Sequence, residues 1–390
     1  MTPDPPHGVY VHVPWCRVHC PYCAFVVVVE RDPDWTGFVD GVLRDHAAVA
    51  PAFPGLPDSL YLGGGTPSLL PEAHLARLLA GLPLAPGAEI TMEVNPGTTD
   101  RARLQAACAL GVNRLSLGVQ SFTTHHARRL ARGHDLRQAE GLLEDVAALP
   151  LATWSLDLMF ALPGQTLEEL DADLDRVLAL RPPHVSLYGL TYEPGTPFHD
   201  RRAQGRLVEA DEETWRAMYL HIGQRLQGAG WERYEVSNFA RPGHRSRHNE
   251  ACWRGAFYAG LGPGAHGYLP ATPLAPWGTR TVNRADVAQW RVDPVQEVEH
   301  LDARTAAADL VLSTLRHRDG LPLSRLAGLG LTPGEAVVSA LVEAGLITAD
   351  PAHIRLTAAG VPLADGITTR LVRALRESDD SVRQHRAQTL

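Results

Sequence analysis

Three cysteines fall within eight residues, Cys16, Cys20 and Cys23, in the order Cys-x3-Cys-x2-Cys, directly after an apolar run. In a chain of this size such clustering points to metal rather than to a disulfide framework. Three thiolates from one short loop can bind three irons of a 4Fe–4S cube and leave the fourth iron open, and an open iron is a place for chemistry. Zinc is the competing reading, because a structural zinc wants four closed ligands and His19 or His12 could supply the fourth. Three thiols that are merely buried are the blandest reading. The spacing favours the cluster over zinc. Other residue types that could do chemistry stand at the ends of later runs. Gly63-Gly64-Gly65-Thr66-Pro67-Ser68 closes a strand-like run. Glycines there either make a tight turn or let a ligand approach the backbone closely; the ligand is not a phosphate, since no Lys follows as in a phosphate-binding loop. Glu93, Gln120, Arg132 and Asp157 lie at or near the ends of later runs. Arg132 has the fork that suits a carboxylate, or is a solvated helix end. Asp157 sits in a mostly apolar run, where burial without a partner would be costly, so a fixed hydrogen-bonding role is favoured.

The elements that must position these residues alternate. Strand-like runs rich in Val, Leu, Ile and aromatics cover 9–14, 59–62, 89–94, 114–119, 153–160 and 184–190, and most end at Gly or Pro. Amphipathic stretches separate them; Leu167, Leu170, Leu174, Val177 and Leu178 form one stripe, opened by a Thr166/Glu169 capping box, and Trp215, Met218, Tyr219 and Ile222 form another. Strand–helix repeats imply a parallel sheet, because each helix supplies a crossover. The sheet is open and doubly wound or curved toward a barrel, and in either case functional groups belong at the carboxyl ends of its strands. The repeat covers 1–240. A stretch rich in Gly, His and aromatics follows over 241–300. From 301 to 375 helices precede a small hairpin, 346–349 with 354–357, which suggests a winged-helix module of α+β type. Thr332, Pro333 and Glu335 should open its second helix with a capping box. Residues 376–390 read as a polar, frayed tail.

Composition narrows the function. The 390 residues are 45% hydrophobic and 21% charged, ordinary for a globular chain. The 36 basic residues are all Arg and face 44 acidic ones, for a net charge of −8. That balance argues against nonspecific nucleic-acid binding, and the helix 332–344 carries Glu335 and Glu343 but no Arg, so it does not look like a DNA-reading helix. No apolar run approaches the ~20 residues of a transmembrane span. Nothing at the start resembles a signal peptide, so a cytoplasmic protein is expected.

Tyr10-x-His12-x-Pro14-x-Cys16 leading into the cysteines, Pro21-Tyr22-Cys23 closing them and the glycine run together resemble the radical S-adenosylmethionine superfamily. Within it the chain is similar to the oxygen-independent coproporphyrinogen oxidase group and to its relative, the heme chaperone HemW family. The resemblance implies a partial (β/α)6 barrel and a 4Fe–4S cluster on Cys16, Cys20 and Cys23. S-adenosylmethionine would be chelated to the open iron, with Tyr10 and Tyr22 near it. Gly64, Gly65 and Thr66 would approach its methionine end, and Glu93, Gln120, Arg132 and Asp157 would line its site. Three features separate the two relatives. Phe25 stands where the oxidase group has a fourth cysteine, and only fifteen residues precede Cys16, without the oxidase's longer amino-terminal segment. The third is Arg247-His248-Asn249-Glu250-Ala251-Cys252-Trp253, which resembles the chaperone's heme-associated motif with Cys252 in place of a tyrosine. By that resemblance His248 is the candidate heme ligand, and Cys252, like Cys108, is read as a packing residue. The implied function is heme chaperoning, with heme, acceptor proteins and an electron donor as partners; radical decarboxylation of coproporphyrinogen III is the alternative.

Overall fold

The computed structural model describes residues 7–131, 133 and 135–378. All six expected strands are present: β1 (Gly8–Val13), β2 (Ser59–Gly64), β3 (Glu89–Val94), β4 (Arg114–Gln120), β5 (Thr153–Phe160) and β6 (His184–Gly189). They pair in that order, all parallel. The crossovers are α1 (Trp35–Val49), α2 (Glu72–Gly81), α3 (Arg101–Ala109), α4 (Thr124–Leu130) with α5 (Leu136–Ala147), and α6 (Leu167–Leu180); α7 (Pro197–Ala203) and α8 (Glu212–Gly228) follow β6. The Thr166/Glu169 capping box opens α6 as expected, and Asp135 with Gln138 forms another at α5. This is the α/β architecture of a partial (β/α)6 barrel.

The two faces of the sheet differ in chemistry. Val9, Val11, Leu60, Leu62, Met92, Leu115, Leu117, Leu156, Leu158, Val185 and Leu187 point to the helices and form one apolar core with them. The alternate residues point the other way, and register aligns them: Tyr10 with Tyr61, Tyr61 with Thr91, Glu93 with Ser116, Ser116 with Ser155, and Ser155 with His184. Parallel strands covered on both faces are usually apolar throughout. Here a polar row is held inside, which fits a face that holds polar ligands.

The stretch after α8 extends this sheet on both sides. Short strands β7 (Glu232–Arg233) and β8 (Asn238–Ala240) add antiparallel to β6. After α9 (Arg247–Trp253), β9 (Tyr258–Leu261) joins β1 in parallel, and β10 (His266–Leu269), β11 (Thr279–Asn283) and, past α10 (Val287–Val292), β12 (Val295–His300) continue antiparallel. Among the described residues the sheet has twelve strands.

The final block has its own apolar core of Val311, Leu315, Leu326, Leu341, Ile354 and Leu371 among others. It comprises α11 (Ala303–Thr314), β13 (Leu321–Pro322), α12 (Leu323–Gly328), β14 (Leu331–Thr332), α13 (Glu335–Glu343), the hairpin β15 (Ile347–Ala349) and β16 (His353–Leu356), α14 (Ala364–Arg373) and β17 (Arg376–Glu377). Two expectations are corrected here. Thr332 does not cap α13; its backbone is extended and paired with Arg376, so Gly334 takes the cap position. The same pairing draws Arg376 and Glu377 into a strand rather than a frayed tail. Residues 379–390 lie outside the described residues.

Candidate cofactor site

The cysteine loop leaves the carboxyl end of β1 and is pinned at both ends. Cys16 N–H donates to the Val28 carbonyl at 3.0 Å, and Val28 N–H donates back to Pro14 at 2.8 Å. Trp15 lies buried against Trp35 and Phe38, edge to face, and its indole N–H donates to Glu30 at 3.1 Å. Within the loop, Cys23 N–H donates to Cys20 C=O at 3.1 Å. All three cysteines are partly exposed.

The two histidines that could serve a zinc as fourth ligand each carry another contact. His12 Nε2–H donates to the Val26 carbonyl at 2.7 Å, which leaves Nδ1 to accept from Tyr10 O–H at 3.1 Å. Burial holds the His12 imidazole below its ordinary pKa, in keeping with this neutral form. His19 spends its Nε2–H on the Cys23 carbonyl at 3.1 Å.

The glycine run packs directly on this loop. Gly65 N–H donates to Val13 C=O at 2.8 Å, and a Cβ on Gly65 would lie 2.7 Å from the Pro14 carbonyl oxygen. The bare α-carbon at Gly65 is therefore required by backbone crossing backbone, a cause the sequence did not reveal. Gly64 has φ +108 and faces the His12 ring. Thr66 then donates its hydroxyl to Cys16 Sγ at 3.4 Å and accepts from Asn95 Nδ2 at 3.0 Å.

Three of the four expected polar residues at the later strand ends can be located. Glu93 accepts from Tyr61 O–H at 3.0 Å and from Gly64 N–H at 3.2 Å, so it ties β3 to the glycine run. Asp157 accepts one serine hydroxyl on each oxygen, Ser116 at 2.7 Å and Ser155 at 2.7 Å. Because Ser155 gives its proton to Asp157, it accepts from His184 Nδ1–H at 2.8 Å, and His184 Nε2 accepts from Tyr234 O–H at 2.9 Å. His184 is neutral in this chain, its pKa driven well down by burial. Gln120 is 7% exposed and has φ +73, a left-handed conformation that costs a non-glycine residue ~1–3 kcal/mol. A register irregularity between Gly118 and Gln120 puts it there. Such strain at a strand's carboxyl end fits a ligand contact. Arg132 lies outside the described residues. Tyr22 packs 6.2 Å from Phe198, whose N–H donates to Pro21 C=O at 2.9 Å. Tyr10 lines the inner face, its phenol pKa raised by burial and by Glu93.

The sequence reading missed the polar row between these residues, Tyr61, Thr91, Ser116, Ser155, His184 and Ser186. Its signal was available: polar residues at every second position inside runs judged only by their apolar members.

His248 lies at the other end of the strands. It is 6% exposed beside Gly8 and Ser59, where β1 and β2 begin, with Nδ1 3.2 Å from Ser59 Oγ and its ring 5.3 Å from that of Tyr61. Burial pushes its pKa down to about 4. Glu89, at the start of β3, accepts from Arg247 N–H at 2.9 Å and so caps α9 onto the barrel floor. In this conformation a porphyrin has no route to the imidazole. Cys252 is a packed thiol, raised to about 12 by burial. Phe25 is 65% exposed beside the cluster loop.

The fold and the three-cysteine loop define a radical S-adenosylmethionine protein, and the Radical SAM superfamily model matches residues 10–177. Heme chaperone HemW of Escherichia coli (strain K12) is 40% identical over 273 residues, 68% of this chain and 71% of that one. Heme chaperone HemW of Mycobacterium tuberculosis (strain ATCC 25618 / H37Rv) is 35% identical over 382 residues, 95% of this chain and 96% of its own. Among solved structures, coproporphyrinogen III oxidase (HemN) from Escherichia coli superposes with a TM-score of 0.78 at 23% identity, over 95% of this chain and 90% of that one. The chain belongs to the heme chaperone HemW family. Membership of the superfamily implies a 4Fe–4S cluster and S-adenosylmethionine as its cofactors. Among the described residues no helix is long and apolar enough to cross a membrane.

Proposed function

We propose that this protein is a cytoplasmic heme chaperone that binds heme and passes it to acceptor proteins. Cys16, Cys20 and Cys23 would hold its 4Fe–4S cluster, and S-adenosylmethionine would bind beside it. The observation that carries this reading is likeness over almost the whole length to the Mycobacterium tuberculosis heme chaperone HemW, 95% of the chain, including the final block. The likeness to the oxidase HemN at 23% identity speaks for the fold alone.

The chain's own residues have definable tasks. When bound and reduced, the cluster supplies an electron to the sulfonium of S-adenosylmethionine. Thr66 donates a hydrogen bond to one cluster ligand, and Glu93 fixes the glycine run that the methionine end approaches. Gln120 presents its carboxamide at the carboxyl end of β4, and Asp157, which accepts from two serine hydroxyls, can also accept from a ribose hydroxyl. An electron donor must dock near the loop 16–23, where Phe25 is exposed. Heme ligation by His248 requires α9 to lift from the barrel floor.

Anaerobic reconstitution with iron and sulfide, followed by heme titration and transfer to an apoprotein heme sink, tests the reading. Stoichiometric heme uptake and release with no turnover of coproporphyrinogen III supports it. Catalytic formation of vinyl product with reductant and S-adenosylmethionine overturns it in favour of the oxidase.

A further inference from the structure

A second cluster of ligating side chains lies outside the cofactor site. His125 and His126 are neighbours on α4, the helix that follows β4, and both reach the carboxylate of Glu169 in the first turn of α6. His125 Nε2 is 3.2 Å from Oε1, and His126 Nε2 is 3.1 Å from Oε2. Ligand atoms of all three residues lie within 4.8 Å of one another. Around a small cation with bonds of ~2.0–2.1 Å, tetrahedral ligands stand about 3.3 Å apart, so the observed spacing needs little adjustment. The three are also held in place without metal. Glu169 Oε2 accepts from Thr166 N–H at 2.9 Å in the capping box of α6. The start of α4 is fixed by Asp173, which accepts from Phe122 N–H at 3.0 Å and Thr123 O–H at 3.2 Å.

Hydrogen bonding alone is a poor account of this arrangement. Two adjacent imidazoles, with ring centroids 4.0 Å apart, are spent on one carboxylate. His126 is 1% exposed, so one side of the group is already shielded from water. His125 is 58% exposed, so water could complete the coordination from outside. Two imidazoles and one carboxylate suit borderline first-row cations; magnesium and calcium prefer all-oxygen sites.

We propose that His125, His126 and Glu169 form a binding site for a divalent zinc-class cation that ties α4 to α6. On binding, each neutral imidazole shifts its proton from Nε2 to Nδ1 and gives the Nε2 lone pair to the ion, and Glu169 supplies an oxygen, so no proton needs to leave. The ion clamps together the helices that follow β4 and β5, the strands bearing Gln120 and Asp157.

The test uses anaerobically reconstituted protein dialysed against micromolar ZnCl2, with bound zinc and iron counted together. Wild type should retain one zinc per chain more than His125→Ala, at equal iron, and its thermal midpoint should rise with zinc while that of the variant does not. Glu169→Gln keeps a residue able to complete the helix cap but loses the anionic ligand, and should weaken zinc at least tenfold. Equal zinc in wild type and His125→Ala overturns the proposal. So does zinc that enters only as iron is lost, because that ion sits on the cysteines.

Discussion

Thr66 is the side chain through which the glycine run touches a cluster ligand, by its hydroxyl on Cys16 Sγ. Hydrogen bonds to cluster sulfurs stabilise the reduced state and raise its potential. Thr66→Val should therefore make the reconstituted cluster harder to reduce, read as a lower midpoint in a redox titration followed by EPR. Replacing Cys16, Cys20 or Cys23 with Ala should remove bound iron and sulfide while leaving the far-ultraviolet circular dichroism unchanged. The buried His248 makes a pH prediction. Its pKa falls from 6.5 to about 4 in the folded chain, a difference of ~3 kcal/mol. As pH falls below 6.5 the unfolded chain takes up this proton first, so the stability is lost between pH 6.5 and 4 and is complete above 6.5. Glu235, raised by burial from 4.5 to about 7, acts in the opposite sense over a similar window. Comparing wild type with His248→Gln cancels that shared contribution. The variant should show a shallower loss of urea stability from pH 7 to 5, and parallel slopes would contradict the burial argument. At this scale the cysteines and the polar strand ends were legible, because rare residues at fixed spacing stand out. The strain at Gln120 and the reason for Gly65 were not, since both depend on backbone that arrives from elsewhere.

Elements show the same division. The six parallel strands were legible because each is an apolar run between turn residues. The short strands β13, β14 and β17 were not, because two residues carry no periodicity. Thr332 looked like a helix cap locally, yet its pairing with Arg376 forty-four residues later decided its conformation. Packing between elements yields the clearest test of the glycine run. Gly65→Ala would drive a Cβ to 2.7 Å from a carbonyl oxygen, a contact that only backbone movement relieves. A loss of ~1–3 kcal/mol is expected, with reduced cluster occupancy. Helix α9 is held between the barrel floor and the final block. Glu89 caps it from below, while Arg254 reaches Asp319 at 2.7 Å and Arg325 donates to Gly255 at 3.0 Å from the other side. If heme reaches His248, amide hydrogen exchange over 247–253 should accelerate when heme is added. Unchanged protection there would locate heme elsewhere.

At the scale of the whole molecule, the strand that launches the cysteine loop has neighbours that lie far apart in the sequence. One side of β1 is covered by β2, the other by β9. Gly262, just past β9, approaches His12 so closely that a Cβ there would lie 2.6 Å from the His12 carbonyl oxygen, and its N–H donates to Asp45 on α1 at 3.2 Å. Joining elements so distant in sequence carries a loop-closure cost and slows assembly. On the ribosome, the cysteine loop emerges some 240 residues before the strand that completes its support. Iron loading is therefore expected to follow synthesis rather than accompany it: nascent chains stalled at residue 250 should take up little iron, and those released beyond residue 300 should take up the full complement.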